Sequence, residues 1–270
     1  MTNYVKSLAL ILLAAATIPA GAEEAVPDHP ALRDQFYFAL GAYFPKTTTS
    51  AQLDSNRLGA GANIDFENAL GMEDSKRVPV GFGRMRLGER WRIEGEYFEL
   101  NRTGNRQIDR TLQWGDRTFP VSAQVQSKFN FSDFRVSGGY SFFKTKDKEL
   151  GVGLGLHIAA YDVSLSANAI GTESQAVTAP LPVLSVFGQF ALTEHWAVAG
   201  RLDRLQLKYQ NFDGNLSAFG LDLMYQPFKH VGFGLGNRAL YLTLEATGND
   251  RTAKFKQTFQ GPLLYMNVSF

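Results

Sequence analysis

The sequence predicts an all-β protein, a closed antiparallel barrel of about ten strands that crosses a membrane in an up-and-down arrangement. Three observations support this prediction. Apolar residues recur at every second position in successive segments, short and long polar connections alternate between those segments, and aromatic residues cluster beside the short connections. Because side chains of a strand point alternately to its two faces, each segment has one apolar face for lipid and one polar or small face for an interior.

Composition and charge exclude several other classes of protein. The chain has 270 residues, of which 44% are hydrophobic, so it is too apolar for a disordered polypeptide. Its 27 basic and 26 acidic residues give no indication of a nucleic-acid partner. The absence of cysteine from the sequence excludes a disulfide framework and a thiol nucleophile. The glycine-rich runs at 151–155 and 232–236 lack the spacing of a phosphate-binding loop, so we expect neither a cofactor nor a metal.

Residues 1–22 have the pattern of a secretory signal peptide. One lysine precedes an apolar run over 8–18, and small residues at 20–22 place the cleavage before Glu23. The apolar run is too short for a membrane-spanning helix, which needs roughly 20 residues. We therefore expect the mature chain, 23–270, to be a single barrel domain with a net charge of zero when its histidines are neutral.

The mature chain contains no candidate transmembrane helix, because polar residues interrupt every later apolar run. It must then enter a membrane as a closed barrel, since an open sheet edge in lipid leaves backbone groups unpaired. The spacing favours ten strands, with eight or twelve as alternatives. Long outer loops are predicted at 45–77, 103–127 and 167–180. The strands are predicted over 34–45, 78–87, 92–102, 128–143, 150–166, 182–192, 196–209, 215–227, 232–246 and 253–270.

Two local features modify this pattern. Leu70 and Met72 are apolar residues within the acidic first loop, which predicts that this loop folds back on the barrel mouth as a partial plug. Beyond Arg238 the apolar residues of the segment move to the other set of alternate positions, which begins at Leu240. This change of face predicts a β-bulge at that point.

The face that does not meet lipid carries charges of both signs. An Arg or Lys on the lipid face near the membrane midplane costs about 2–4 kcal/mol, so these charges are assigned to the lumen. Arg84 and Arg86 precede a tight turn and Glu94 follows it, so cross-strand ion pairs are expected there. Arg92 and Gln189 fall on the same interior face. The predicted lumen charge network consists of Arg84, Arg86, Glu94, Glu96, Asp133, Arg135, His157, Arg201, Asp203, Asp222 and Arg238.

Two interpretations of this network remain open. The charges could pair with one another and fill a narrow, closed barrel, or they could line a thin water-filled channel. His157 is the one histidine within a predicted strand, and a hydrolase would need it beside a serine or an acid. We interpret His157 as a member of the network, assign no catalytic residue and do not expect an enzyme. The acidic residues of the first loop match no calcium-loop pattern, so a solvated loop is favoured over a metal site.

The C-terminal segment LLYMNVSF carries a resemblance. Apolar residues alternate at Leu264, Met266 and Val268, and the chain ends at Phe270. This ending resembles the C-terminal assembly signal of Gram-negative outer-membrane β-barrel proteins. With the signal peptide and the strand pattern, the resemblance covers nearly the whole mature chain and is to the group of small OmpA- and OmpW-like barrels. The segment IDFENALGMEDS is similar to those of uncharacterised proteobacterial outer-membrane proteins.

The resemblance implies an outer-membrane location in a Gram-negative bacterium, contact with outer-membrane lipid and lipopolysaccharide, and recognition by the barrel-assembly machinery. It brings no catalytic motif, and a monomer is favoured. Three classes of function remain open: a narrow or closed channel or structural envelope protein, which we favour; a hydrolase that acts on lipid or peptide; and a surface binding or adhesion barrel that uses its outer loops.

Overall fold

A computed structural model of the chain shows a closed ten-stranded antiparallel β-barrel, which confirms the predicted fold class. The predicted signal peptide lies outside the described residues. Within the described part of the chain, no helix is long and apolar enough to cross a membrane. The structure describes residues 28–55, 63–168, 170–209, 212–247 and 251–270.

The barrel strands follow one another in sequence order, and the last strand pairs with the first to close the sheet. The helices are α1 (Pro30–Arg33) and α2 (Phe66–Leu70), and the strands are β1 (Phe36–Tyr43), β2 (Lys46–Ser55), β3 (Ile64–Asp65), β4 (Val78–Leu87), β5 (Trp91–Gln107), β6 (Leu112–Trp114), β7 (Arg117–Phe119), β8 (Gln124–Lys144), β9 (Lys148–Ala167), β10 (Gly171–Ala191), β11 (Trp196–Tyr209), β12 (Phe212–Tyr225), β13 (Val231–Thr247) and β14 (Arg251–Ser269).

Two of these segments form one barrel strand. Both β1 and β2 pair with β14, and the chain between them keeps the register because the Phe44 N–H donates to the Pro262 carbonyl at 2.9 Å. At the other end of β14, Phe36 and Phe270 exchange two backbone hydrogen bonds of 2.8 and 3.0 Å. The C-terminal residue of the chain therefore completes the closure of the barrel.

Each of the ten predicted strands overlaps one strand of the barrel, but the predicted loops are too long. Residues 46–55 belong to β2, and residues 171–180 belong to β10, so these parts of the loops predicted at 45–77 and 167–180 are regular sheet. The loop at 103–127 contains the end of β5, the hairpin β6–β7 and the start of β8. The prediction was wrong there because polar residues on both sides of a strand resemble a loop in the sequence.

The outer surface of the barrel has two zones. Beside the short turns, outward side chains such as Trp91 and Leu264 are apolar and more than half exposed, at 58% and 54%. Farther along the same two strands, the outward positions hold exposed polar residues such as Glu99 and Lys256. The sheet thus continues beyond the apolar band on the side of the long connections. The aromatic residues predicted beside the short turns are all exposed in the band: Trp91, Phe142, Phe143, Trp196, Phe228 and Phe270.

The interior has the opposite arrangement. Charged side chains occupy it beside the short turns, and aromatic and aliphatic side chains occupy it beyond. On β13, Arg238 and the next alternate residues, Leu240 and Leu242, all face inward and are buried. The bulge predicted after Arg238 is absent, because β13 pairs with β14 without interruption from Val231 to Thr247. What changes at Arg238 is the polarity of the interior.

Aromatic rings fill the interior of the outer zone. Phe131 lies with its ring centroid 4.8 Å from both Tyr161 and Phe259, and Phe98 lies 5.7 Å from Phe131 and from Phe259. Phe131 and Phe259 are essentially inaccessible to solvent. Rings at these separations gain both burial and edge or stacking contacts, so this layer has the character of a packed protein core.

Helix α2 lies on this aromatic layer and covers the outer mouth. Asp65 caps the helix by accepting from the Asn68 N–H at 2.9 Å, and Gly71 ends it in the left-handed conformation at φ 67°. Phe66 and Leu70 are fully buried, and the ring of Phe66 lies 5.6 Å from that of Phe129. The first long connection therefore folds back into the mouth, as its apolar residues predicted.

Glycines on the interior face make room for large rings. A β-carbon at Gly151 would lie 2.1 Å from Phe187, and one at Gly234 would lie 1.9 Å from Tyr265. Both rings are buried, at 4% and 6% exposure. The glycine rows thus accommodate neighbouring side chains that cross the interior.

We expect Gly234→Ala to destabilise the barrel by about 1–3 kcal/mol, because Tyr265 packs against Phe82 and must shift. The control is Gly138→Ala, since no atom lies within 4 Å of a β-carbon at Gly138. Urea unfolding in lipid vesicles measures both variants. Equal stability of the two variants would show that the Tyr265 contact does not limit this position.

Candidate functional site

The lumen beside the short turns holds the candidate site. The structure places all eleven residues of the predicted network in the interior, where each is buried or half-buried. They come from β4, β5, β8, β9, β11, β12 and β13, so seven of the ten barrel strands contribute. Their side chains meet in the space enclosed by the barrel, and most of them form ion pairs there.

Asp203 is the centre of the network. This carboxylate is fully buried and accepts from Arg135 Nε at 2.6 Å and Arg135 Nη2 at 3.1 Å. Arg201 Nε lies 3.2 Å away, and the Ser185 hydroxyl also donates to it. Arg135 and Arg201 in turn contact Glu94 and Glu96, at 3.4 and 3.1 Å. The charges thus form a connected set in which most groups have more than one partner.

His157 lies between two carboxylates. Its Nδ1 is 2.8 Å from Asp133 Oδ2, and its Nε2 is 3.5 Å from Asp203 Oδ2. Among the described residues, neither ring nitrogen contacts a hydroxyl group, and the nearby Ser185 donates to Asp203 instead. The geometry therefore favours a role for His157 in holding two acids together.

The partners of the network differ from those expected from strand pairing. Arg84 lies opposite Glu94 in the β4–β5 register, yet the two form no ion pair within 4.0 Å in the described structure. Arg86 instead reaches across the lumen to Glu149, at 2.6 and 2.8 Å. The expected pairing was wrong because side chains of adjacent strands project inward side by side. In a narrow barrel, a long side chain can meet a partner from a strand that is not its neighbour, and β4 and β9 are three strands apart.

Sequence reasoning missed Glu149, which is fully buried and also accepts from the Ser141 hydroxyl. Its position has the same parity as the interior Gly151, and this signal would have placed it in the lumen. Arg92 belongs to the same part of the network. It contacts Glu94 at 2.9 Å, and its guanidinium lies 3.1 Å from the ring centroid of Phe187.

A second buried cluster attaches α2 to the wall of the outer zone. Arg102 forms an ion pair with Glu67 and donates to Thr49 Oγ1 at 2.6 Å and to the Glu73 carbonyl at 3.1 Å. Arg102 shares the interior parity of Arg92 on the same strand, so its burial was visible in the sequence. The acidic loop residues are used within the fold: Glu67 in this ion pair and Asp65 as the helix cap. The described residues include no His, Asp and Glu cluster suited to a metal ion.

Helix α1 covers the mouth of the barrel beside the short turns. The carbonyl of Ala31 accepts hydrogen bonds from Arg84 and Arg86, and the Ser269 hydroxyl donates to Asp34 at 2.7 Å. Ala31 and Leu32 are buried at 2% exposure. The sequence did not predict this element, because a single helical turn has no periodic pattern.

His29 fixes the start of α1. Its Nδ1 accepts from the Ala31 N–H at 3.1 Å, which requires an unprotonated nitrogen, and the side chain is fully buried. Burial lowers the pKa of His29 below its usual value, because the imidazolium would be desolvated. The docked helix therefore favours neutral histidine.

Comparison with known proteins gives structural likeness alone. No family model matches the chain, and no curated protein matches it. The outer-membrane protease OmpT from Escherichia coli has 8% sequence identity and a TM-score of 0.55, over 87% of this chain and 97% of that chain. The chain has the fold of a Gram-negative outer-membrane β-barrel. OprG from Pseudomonas aeruginosa is also similar, with 10% identity and a TM-score of 0.39 over 88% of this chain and 97% of that chain.

We expect Asp203→Asn to destabilise the barrel by about 3–5 kcal/mol, because it removes the buried carboxylate that Arg135 and Arg201 share and leaves them only Glu94 and Glu96 as counter-charges. The matched control is Lys254→Gln, which removes an exposed ion pair with Glu245 and costs less than about 1 kcal/mol. Urea unfolding in vesicles compares them. A change at Asp203 as small as the control would contradict a central role for this carboxylate.

We expect α1 to loosen as the pH falls through and below about 6.5, the usual histidine pKa. The released segment binds a proton more readily than the docked one, so docking is fully stable above that pH and weakens below it. Hydrogen exchange of the Leu32 and Asp34 amides, corrected for intrinsic rates, measures the effect. The His29→Asn variant keeps a capping acceptor that does not titrate, so the protection of these amides should not change with pH in the variant. A pH dependence equal to that of the natural chain would assign the effect to another group.

Proposed function

We propose that the mature chain is a closed, non-conducting barrel that acts as a structural protein of the outer membrane of a Gram-negative bacterium. The observation that carries this proposal is the filled interior. Ion pairs span the lumen in the apolar band, and the ring layer around Phe131 fills the zone beyond it. Helices α1 and α2 cover the two mouths. These layers lie in series, so an ion would have to disrupt each of them.

The remaining parts of the proposal follow from the surface. The apolar band with its aromatic residues suits outer-membrane lipid, and the polar wall beyond it suits the lipopolysaccharide side. Leu264, Met266, Val268 and Phe270 point outward on the closing strand, at 38–58% exposure, where the barrel-assembly machinery could bind them. A cleaved signal peptide and a monomeric state complete this proposal.

A hydrolase is the less favoured alternative. His157 and Asp133 lie at the inner side of the ring layer, and a cavity of only about 20 Å³ beside them is walled by Tyr43, Phe98 and Leu240. A lipid or peptide substrate would have to displace this layer to reach the histidine. We therefore propose that the protein is not an enzyme.

The proposal predicts that residues 23–270, refolded into a planar bilayer, produce no discrete conductance steps. Removal of residues 23–34, which include α1, should leave the bilayer silent because the ring layer still seals the barrel. A heat-dependent gel shift verifies folding, and an open porin verifies that the bilayer reports channels. Reproducible steps from the natural chain would overturn the closed state, and steps from the shortened chain alone would show that α1 is the seal.

A further inference from the structure

The charged half of the lumen contains a cavity of about 80 Å³ whose lining is rich in arginine. Arg84, Arg92, Arg201 and Arg238 line it. Among the described residues, the carboxylates in its lining are Glu94 and Asp222. The cavity therefore has an excess of positive charge close to its walls.

The excess is located at the end near α1. Arg201 and Arg238 form ion pairs with acids beside the ring layer: Glu96, Asp203 and Asp222. The three arginines nearest this end are Arg84, Arg86 and Arg92. In the described structure, Arg86 pairs with Glu149, Arg92 pairs with Glu94 and Glu149, and Arg135 also uses Glu94. This end of the lumen thus holds three guanidinium groups and two carboxylates.

Arg84 is the group without a counter-charge in contact. It is 6% exposed, and no carboxylate of the described residues lies within 4.0 Å of it. Its hydrogen-bond partners are neutral: Gln189 Oε1 at 2.9 Å and the Ala31 carbonyl. Its Nε has no hydrogen-bond partner, and neither do Nε and Nη1 of Arg92, which is 4% exposed. A buried charge with unused donors is costly unless an anion is near.

We propose that a small oxoanion, a carboxylate or phosphate group, binds in this cavity between Arg84 and Arg92. The planar fork of a guanidinium matches both of these groups, and such hydrogen bonds are strong because the partners are charged. The ring of Phe187 holds Arg92 in place from one side. The anion enters from the mouth beside the short turns, where α1 occupies two donors of the arginines through the Ala31 carbonyl. This binding site is an addition to the proposed structural function, because an anion can bind in a barrel that conducts no ions.

The test uses residues 23–270 refolded in non-ionic detergent with the anion present throughout, so that entry does not limit binding. Equilibrium dialysis with labelled phosphate, sulfate and acetate, each in a separate experiment at constant ionic strength, measures the stoichiometry. We expect about one equivalent of at least one of these oxoanions, and a rise in the unfolding temperature that saturates with binding. Comparison of the phosphate, sulfate and acetate experiments distinguishes a phosphate-type from a carboxylate-type ligand.

Two variants and one control locate the site. Arg84→Gln should weaken binding about tenfold or more, because it removes a buried charged donor. Arg204→Gln removes an exposed arginine on the outer wall and should bind as the natural chain does. Gln189→Glu places a carboxylate on Arg84 at nearly constant volume, so it should abolish oxoanion binding and raise the unfolding temperature.

Several results would overturn the proposal. These are the absence of binding by all three oxoanions up to about 10 mM, where a millimolar site would fill; equal binding of chloride; and unchanged binding in Arg84→Gln. If the Arg84→Gln variant does not fold, the Gln189→Glu variant tests the proposal in its place. The proposal that Arg84 lacks a counter-charge would be contradicted by a Gln189→Glu chain that is less stable than the natural chain or that still binds the anion.

Discussion

The neutralisation of buried charge within a narrow lumen is the constraint on which this barrel depends. The outer face of the band is apolar, as suits contact with lipid, and the charges at that level lie inside. Ten strands leave little interior space, and long side chains therefore meet partners from strands that are not their neighbours. Asp203 shows the result: Arg135 and Arg201 converge on one carboxylate, and the strands β8 and β11, which are not neighbours, are joined through it.

The two zones of the barrel distribute polar and apolar side chains between the outer surface and the interior in opposite ways. In the band, the outer surface is apolar and the interior is charged; beyond it, the outer surface is polar and the interior is a core of rings around Phe131. The change occurs along continuous strands, as the uninterrupted pairing of β13 with β14 demonstrates. A single sheet thus combines the organisation of a membrane protein with that of a water-surrounded barrel.

Arginine side chains attach both covers of the barrel. Arg102 holds the connection that carries α2 through Glu67 and the Glu73 carbonyl, and Arg84 and Arg86 hold α1 through the Ala31 carbonyl. Hydrogen bonds from buried cations to carbonyl groups are strong, yet the covers are short segments that bury few apolar side chains. Helix α1 therefore depends on two arginines of the lumen network, whereas α2 depends on the separate buried cluster around Arg102.

The sequence by itself determined the ten strands, their inward and outward faces, and the interior position of the predicted charges, because the two-residue period is a local property of a strand. It also indicated that Leu70 and its neighbours enter the mouth. Only the tertiary structure decided which charges pair, since Arg86 and Glu149 meet across a lumen whose width depends on closure of the whole sheet. The same holds for α1, whose position at the mouth depends on contacts with β4 and β14 that no local pattern encodes.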